Sequence, residues 1–148
     1  MTSSESLEIL RKGFVSNDPL VASNFAAKLA SELRKEDCTI TLSGDLGTGK
    51  TNFVKGLAKG LGVVDTVKSP SFNICSIYEA SDGVKLVHID AYRLSSPEDF
   101  DALLIDEIAP PPRVICVEWP ENVKDALEPS IELKLSIEAN GNHRVELA

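Results

Sequence analysis

The sequence predicts an α/β fold with three layers, in which helices cover both faces of a mixed, mostly parallel central sheet. Two observations carry this prediction. Segments with helical periodicity interleave with short apolar segments typical of strands along the 148 residues. A glycine-rich loop also joins one predicted strand to the helix that follows it. The length fits one domain, which we expect to span residues 1–148.

The first half of the chain contains two predicted helices and a buried strand. Residues Ser6 to Val15 mix polar and apolar types and could form a first strand. An Asn-Asp-Pro start and apolar residues at every fourth position predict a helix from Pro19 to Lys35. Thr39 to Ser43 is β-branched and apolar, which predicts a buried strand. Helical periodicity returns from Lys50 to Leu61, and the next residue, Gly62, is a typical helix stop.

The second half is richer in strands. Phe72 to Ala80 and Val84 to Asp90 flank a Ser-Asp-Gly turn and could pair as a hairpin. Val114 to Val117 is continuously apolar, which favours a central position in the sheet. Strict alternation from Ile131 to Ile137, followed by an Asn-Gly-Asn turn and Arg144 to Leu147, predicts a C-terminal β-hairpin. Two further helices are predicted, at Pro97 to Ile108 and at Pro120 to Leu127.

The amino-acid composition argues against several classes of function. The formal net charge of −8 argues against a protein that grips nucleic acid through phosphate contacts. No apolar run reaches the length of a membrane span, and the first residues do not resemble a signal peptide, so the expected location is the cytoplasm. The three cysteines, Cys38, Cys75 and Cys116, lack metal-site spacing. Cys75 and Cys116 lie in apolar runs and are expected to act as small hydrophobic residues in preference to a redox role.

The glycine-rich loop carries the strongest functional signal. Gly44 to Thr51 matches the pattern G-x-x-x-x-G-K-[ST], in which backbone N–H groups surround phosphates. Lys50 would reach the β- and γ-phosphates, and the Thr51 hydroxyl would hold Mg²⁺. The sequence therefore predicts a P-loop NTPase domain that binds ATP and Mg²⁺. The expected nucleotide contacts are Asp45, Leu46, Gly47, Thr48, Gly49, Lys50, Thr51, Asn52 and Trp119.

An acidic partner for the magnesium is expected at the end of a neighbouring strand. Asp90 is the preferred metal ligand, although it could instead be a helix cap or a turn residue. Glu118 could polarise an attacking water, or it could contact a residue of the site without touching the water itself. It is also a candidate metal ligand beside Thr51 and Asp90. Lys50, Asp90 and Glu118 are thus the candidate catalytic residues. Trp119 follows a strand end and could contact the nucleotide or pack in the core.

Two polar residues near Asp90 have simpler interpretations. His88 could be an ordinary strand histidine satisfied by the backbone. Arg93 could neutralise phosphate charge, but surface pairing with a carboxylate is the usual role of an arginine. Neither residue alone points to catalysis.

Four motifs occur in a characteristic order. They are Gly44 to Thr51, Ser69-Pro70-Ser71-Phe72, His88-Ile89-Asp90-Ala91-Tyr92-Arg93-Leu94 and Glu118-Trp119-Pro120. Together they resemble the TsaE family, formerly YjeE, the small bacterial P-loop ATPases of tRNA threonylcarbamoyladenosine synthesis. The motifs span about half of the chain, and their combination is far more specific than any one of them.

The resemblance implies a cellular role. Members of the family bind a complex of TsaB and TsaD, in which TsaD transfers the threonylcarbamoyl group to adenosine 37 of tRNAs that read codons beginning with A. The ATPase, weak alone, supports repeated turnover of that complex and meets tRNA only indirectly. By resemblance, Lys50 and Thr51 bind phosphate and magnesium, Asp90 is the Walker B acid, Ser69 to Phe72 is a switch region, and Glu118 and Trp119 lie at the nucleotide site.

Three other functions share a phosphate-binding loop. A small-molecule kinase would carry an arginine-rich lid, but the five arginines of this chain are widely separated. A GTP-dependent switch would need an N-K-x-D motif, and Asn122-Val123-Lys124-Asp125 has the wrong order. A nucleotide-dependent assembly factor that does not hydrolyse ATP remains an alternative on sequence alone.

Overall fold

One seven-stranded sheet forms the centre of the computed structural model, which describes residues 5–65, 67 and 74–148. The predicted switch segment, Ser69 to Phe72, and the first residues of the predicted strand Phe72 to Ala80 lie outside the described residues. The helices are α1 (Glu5–Lys12), α2 (Pro19–Ser31), α3 (Lys50–Leu61), α4 (Pro97–Asp101) and α5 (Ile105–Ile108), and the strands are β1 (Phe14–Ser16), β2 (Asp37–Ser43), β3 (Cys75–Glu79), β4 (Lys85–Asp90), β5 (Arg113–Glu118), β6 (Ile131–Ile137) and β7 (His143–Leu147).

The strand order is β1-β7-β6-β2-β5-β4-β3. The four central strands, β6, β2, β5 and β4, run parallel to one another. The outer strands pair antiparallel, so β3 and β4 form the predicted hairpin, and β6 and β7 form the predicted C-terminal hairpin. This arrangement confirms the predicted α/β fold with a mixed central sheet.

Strand β5 lies in the interior of the sheet between β2 and β4, as its apolar sequence predicts. All six of its residues are buried. Val114 and Cys116 belong to one hydrophobic core, whereas Ile115 and Val117 belong to a second core on the opposite face. Because successive side chains of a strand point to opposite faces, β5 takes part in both cores and the molecule has three layers.

Helices α2 and α3 pack together over the first core. The Asp18 carboxylate caps α2 by accepting a hydrogen bond from the Leu20 backbone N–H at 2.9 Å. A Cβ atom at Gly56 of α3 would lie 2.3 Å from the Ser23 carbonyl oxygen of α2, so only glycine allows this approach. Helix α3 ends at Leu61, and the capping residue Gly62 has φ of +84°.

Three predicted elements differ from the structure. Ser6 to Val15 is mainly helix α1, whose acidic first turn and basic last turn suit the helix dipole; only Phe14–Ser16 is a strand. Helix α2 ends at Ser31 and not at Lys35, because the chain must turn into β2 at Asp37. The helix predicted from Pro97 to Ile108 is split into α4 and α5, because Leu104 adopts a left-handed conformation with φ of 55°.

Other predictions hold closely. Residues Pro120–Ala126 form a 3₁₀ helix in place of the predicted short helix. Cys38 and Cys116 are buried and unbridged in the first core, and Cys75 is half-buried against the second. In the part of the chain that the structure describes, the helices are too short or too polar to cross a membrane.

Candidate functional site

The loop between β2 and α3 follows the phosphate-binding pattern in its conformation. Gly44 has φ of 148°, and a Cβ atom there would lie 2.4 Å from the Leu135 carbonyl oxygen. Gly49 has φ of 99° and precedes α3 without any side-chain cap. Gly49 has no side chain that could cap the first backbone N–H groups of α3. These N–H groups and the helix dipole together favour the binding of an anion at the start of the helix.

Lys50 is folded back onto this loop. Its Nζ donates hydrogen bonds to the Gly44 carbonyl at 2.5 Å and to the Asp45 carbonyl at 2.9 Å, and it lies 4.3 Å from the ring centroid of Trp119. Burial lowers the pKa of the Lys50 ammonium, and the carboxylates of Glu118 and Asp45 oppose that shift. In the described chain this buried ammonium contacts two backbone carbonyls and a ring face, and it is well placed to exchange these contacts for phosphate oxygens.

Two carboxylates meet at the same edge of the sheet. Asp90 and Glu118 are paired in register at the carboxyl ends of the parallel strands β4 and β5. The Thr51 hydroxyl, at the start of α3, donates to Glu118 Oε2 at 3.3 Å. The Asp90 carboxylate accepts a hydrogen bond from the Tyr92 backbone N–H at 3.0 Å. Asp90 therefore caps the turn that follows β4, and it does so through one of its two carboxylate oxygens, Oδ1.

A cavity of about 380 Å³ joins these groups. Its wall contains most of the residues predicted to bind nucleotide or metal, namely Leu46, Gly47, Gly49, Lys50, Thr51, Asn52, Asp90, Glu118 and Trp119. Asp45 and Thr48 are outside this wall. They support the loop from behind, because the Asp45 carbonyl accepts from Lys50 and, at 2.8 Å, from the Thr48 hydroxyl.

A larger cavity, of about 590 Å³, lies at the opposite end of the parallel strands. It is lined by Asp37, Asp101, Asp106 and other acidic residues, and its one arginine, Arg113, is ion-paired with Asp37 and Asp106. This wall repels phosphate. The smaller cavity beside Lys50 is therefore the candidate nucleotide site.

Trp119 is held at the mouth of this cavity. It has φ of 57°, and its backbone N–H donates to the Leu42 carbonyl of β2 at 3.3 Å. The Tyr92 ring lies against it, with 5.1 Å between ring centroids. Trp119 thus lies beside the cavity at the carboxyl end of β5, and its contact with a nucleotide stays a prediction. Arg93 is exposed and does not line the cavity.

His88 differs from its expected role as a strand histidine satisfied by the backbone. It is fully buried, and its Nε2 lies 2.5 Å from Glu118 Oε2. Its Nδ1 is buried and has no hydrogen-bond partner among the residues that the structure describes. Sequence reasoning also missed His143 of β7, whose Nδ1 lies 3.0 Å from the Thr48 carbonyl. No local pattern marks either contact, because the partners are far apart in the chain.

The oxygen groups of the cavity suit magnesium. Mg²⁺ prefers oxygen ligands and is commonly bound by one or two carboxylates together with substrate phosphates. Thr51, Asp90 and Glu118 offer a hydroxyl and two carboxylates on one wall. Within residues 5–65, 67 and 74–148, no cluster of three or more His, Cys, Asp or Glu side chains forms a metal cage. A cation here would need ligands from the nucleotide.

The chain matches a known family over nearly its whole length. The family model described as "Threonylcarbamoyl adenosine biosynthesis protein TsaE" matches residues 16–146. That range contains the phosphate-binding loop, both carboxylates, Trp119 and His88.

Similar proteins carry the name tRNA threonylcarbamoyladenosine biosynthesis protein TsaE. The protein from Treponema pallidum is 36% identical over 121 residues, which cover 81% of this chain and 88% of that protein. The protein from Bacillus subtilis is 39% identical over 122 residues, covering 82% and 74% of the two chains. The protein from Streptomyces coelicolor is 42% identical over 110 residues, covering 73% and 74%.

The fold also matches a solved structure. The crystal structure of YdiB from Bacillus subtilis aligns with a TM-score of 0.72 and 28% sequence identity, covering 91% of this chain and 82% of that one.

Proposed function

This chain belongs to the TsaE family of threonylcarbamoyl adenosine biosynthesis proteins, and from that premise we propose that it binds ATP with Mg²⁺ and hydrolyses it. One observation carries the proposal. Lys50, Thr51, Asp90 and Glu118, which come from three separate segments, line a single cavity at the start of α3. A cation, a hydroxyl and two carboxylates at a helix N-terminus are the groups that phosphoryl transfer to water requires.

Binding follows from the chemistry of the loop. The backbone N–H groups of the loop and the first turn of α3 surround the phosphates, and the Lys50 ammonium leaves its carbonyl partners to contact them. Mg²⁺ supplies charge neutralisation on the phosphate oxygens. Thr51 and Asp90, with Glu118 beside them, are the residues that hold it. The exposed side of Trp119 offers the nucleotide an aromatic surface.

Hydrolysis requires a group that orients the attacking water. Asp90 and Glu118 are the carboxylates on the cavity wall. We propose that Asp90 acts on the metal and that Glu118, which accepts a hydrogen bond from Thr51 and contacts His88 Nε2, orients either the Thr51 hydroxyl or the water. Lys50 stabilises the negative charge that develops on the phosphate oxygens.

We further propose that this ATPase works in the cytoplasm with TsaB and TsaD, supporting repeated formation of N6-threonylcarbamoyladenosine at position 37 of tRNAs that read codons beginning with A. The family resemblance and the names of the relatives support this role. The net charge of −8 suits a protein that meets tRNA only through its partners, because an acidic surface repels the phosphate backbone.

Two variants separate binding from turnover. Lys50→Ala should weaken ATP binding by about 10- to 100-fold, because it removes charge-assisted hydrogen bonds to phosphate. Asp90→Ala should retain most ATP binding and lose hydrolysis, because it removes a metal ligand and leaves the loop intact. Calorimetric titration with ATP measures the first effect, and phosphate release in the presence of TsaB and TsaD measures the second.

The same assays distinguish the alternatives. Phosphate release that requires a small-molecule acceptor would indicate a kinase. Nucleotide-dependent association with TsaB and TsaD without phosphate release would indicate an assembly factor. Normal hydrolysis by Asp90→Ala with the partners present would show that the metal assignment is wrong.

A further inference from the structure

His88 is a fully buried polar side chain that contacts the candidate nucleotide site from behind. It lies on β4, two residues before Asp90, opposite Cys116 on β5. Its side chain points to the face that also carries Leu86 and the first hydrophobic core, because residues 86 and 88 share a face. An apolar side chain would fill this position without leaving a polar atom unpaired. The contact with Glu118 therefore calls for a functional explanation.

The surroundings of the ring assign its proton. No residue in ranges 5–65, 67 and 74–148 pairs with the buried Nδ1, so a proton there would be a buried donor without an acceptor from the described chain. Nε2 faces a carboxylate oxygen at 2.5 Å. The Nε2–H form satisfies both conditions, and His88 then donates to Glu118 Oε2.

The position of the Glu118 carboxylate in turn fixes the direction in which the Thr51 hydroxyl donates its proton. The same Oε2 atom accepts a hydrogen bond from the Thr51 hydroxyl at 3.3 Å. A hydroxyl that donates its proton in a fixed direction has its lone pairs fixed as well. Because Thr51 lines the cavity, those lone pairs are available to a cation there.

We propose that His88 is a positioning residue that holds Glu118 against Thr51 and thereby sets the affinity of the site for Mg²⁺. The chain of contacts runs from His88 Nε2 to Glu118 Oε2 and from there to the Thr51 hydroxyl. Residues that orient metal ligands in this way commonly change metal affinity by about 10- to 100-fold when replaced. The inference rests on the proposed Mg²⁺-dependent ATP binding.

A matched pair of substitutions tests the proposal. In His88→Gln the side-chain amide reaches about as far as Nε2 and can still donate to Glu118, whereas in His88→Asn it is too short. Val87→Ala is the control, because Val87 is equally buried on the same strand but faces the second core. The measurement is the half-saturating Mg²⁺ concentration for ATP binding, followed by the fluorescence of Trp119, the single tryptophan.

His88→Asn should raise the half-saturating Mg²⁺ concentration by about tenfold, and His88→Gln should restore most of the affinity. ATP binding in excess EDTA should be the same for His88→Asn and the unsubstituted protein. A variant that is merely unstable would instead bind ATP less well under both conditions. If His88→Asn requires no more Mg²⁺ than Val87→Ala, the role of His88 is overturned. If the unsubstituted protein itself shows no Mg²⁺-dependent ATP binding, the proposed function fails instead.

A measurement on the unsubstituted protein avoids any folding defect. The chain has two histidines, His88 and His143, so ¹⁵N resonances of the imidazoles are simple to assign. We expect a proton on Nε2 of His88 and a shift of that resonance when Mg²⁺ is added to the ATP complex. A proton on Nδ1 with none on Nε2 would overturn the proposal, as would a resonance that Mg²⁺ does not shift.

Discussion

At the scale of single residues, the sequence predicts the phosphate-binding loop but not the histidine contacts around it. Lys50 and Thr51 belong to a local pattern whose spacing reflects how a loop and a helix surround phosphate. The His88–Glu118 contact joins residues 30 positions apart, and the His143–Thr48 contact joins residues 95 positions apart. Such pairs depend on strand order and register, which periodicity does not encode.

Thiol reactivity tests the assignment of the cysteines to the core. Burial raises the pKa of the thiols of Cys38, Cys75 and Cys116. Because the thiolate is the reactive form, all three should be less reactive than a free cysteine at roughly pH 8, and half-buried Cys75 should react first. Thiol titration of the native and the denatured protein gives the comparison. Rapid reaction of all three thiols in the native protein would contradict the assignment.

At the scale of elements, the buried and strongly periodic segments were predicted well. The bounds of α3 agree from Lys50 to Leu61, and the central position of β5 follows from its apolar sequence. Errors fell where tertiary contacts override local preference. The left-handed conformation of Leu104 divides one predicted helix into two, and leucine gives no local signal for it. The segment around α1 has no clear period, so its sequence predicts a strand where the structure has a helix.

The glycines of α3 give a prediction in which two effects oppose each other. Helix propensity favours Gly56→Ala by about 1 kcal/mol. The added Cβ, however, would meet the Ser23 carbonyl oxygen at 2.3 Å and the Ala26 Cβ at 2.7 Å. Overpacking of this kind costs about 1–3 kcal/mol, so we expect Gly56→Ala to lower the free energy of unfolding.

Chemical denaturation measures this change, with Lys55→Ala as the control. Lys55 is exposed on the same helix, and its replacement should change the free energy of unfolding by less than about 0.5 kcal/mol. A Gly56→Ala variant that is more stable than the unsubstituted protein would show that α2 and α3 do not approach as closely as described.

At the scale of the whole molecule, the strand order explains why the site forms where it does. Strands β2, β5 and β4 are adjacent and parallel, so their carboxyl ends bring the phosphate-binding loop, Glu118 and Asp90 to one edge. The sequence predicted both carboxylates as strand-end residues. Their distance from each other and from Thr51 could be known only once the strands were ordered. The partners that we propose rest on the family and not on this geometry.

The function that we propose is most distinctive in one respect, because ATP bound beside Lys50 serves the turnover of another protein's reaction. The most direct measurement is the number of modified tRNA molecules formed per TsaB–TsaD complex, with threonylcarbamoyl donor, ATP and Mg²⁺ supplied in excess. We predict repeated turnover with the unsubstituted chain and a loss of turnover with Asp90→Ala. Equal turnover with the unsubstituted chain, with Asp90→Ala and with no chain added would contradict the account.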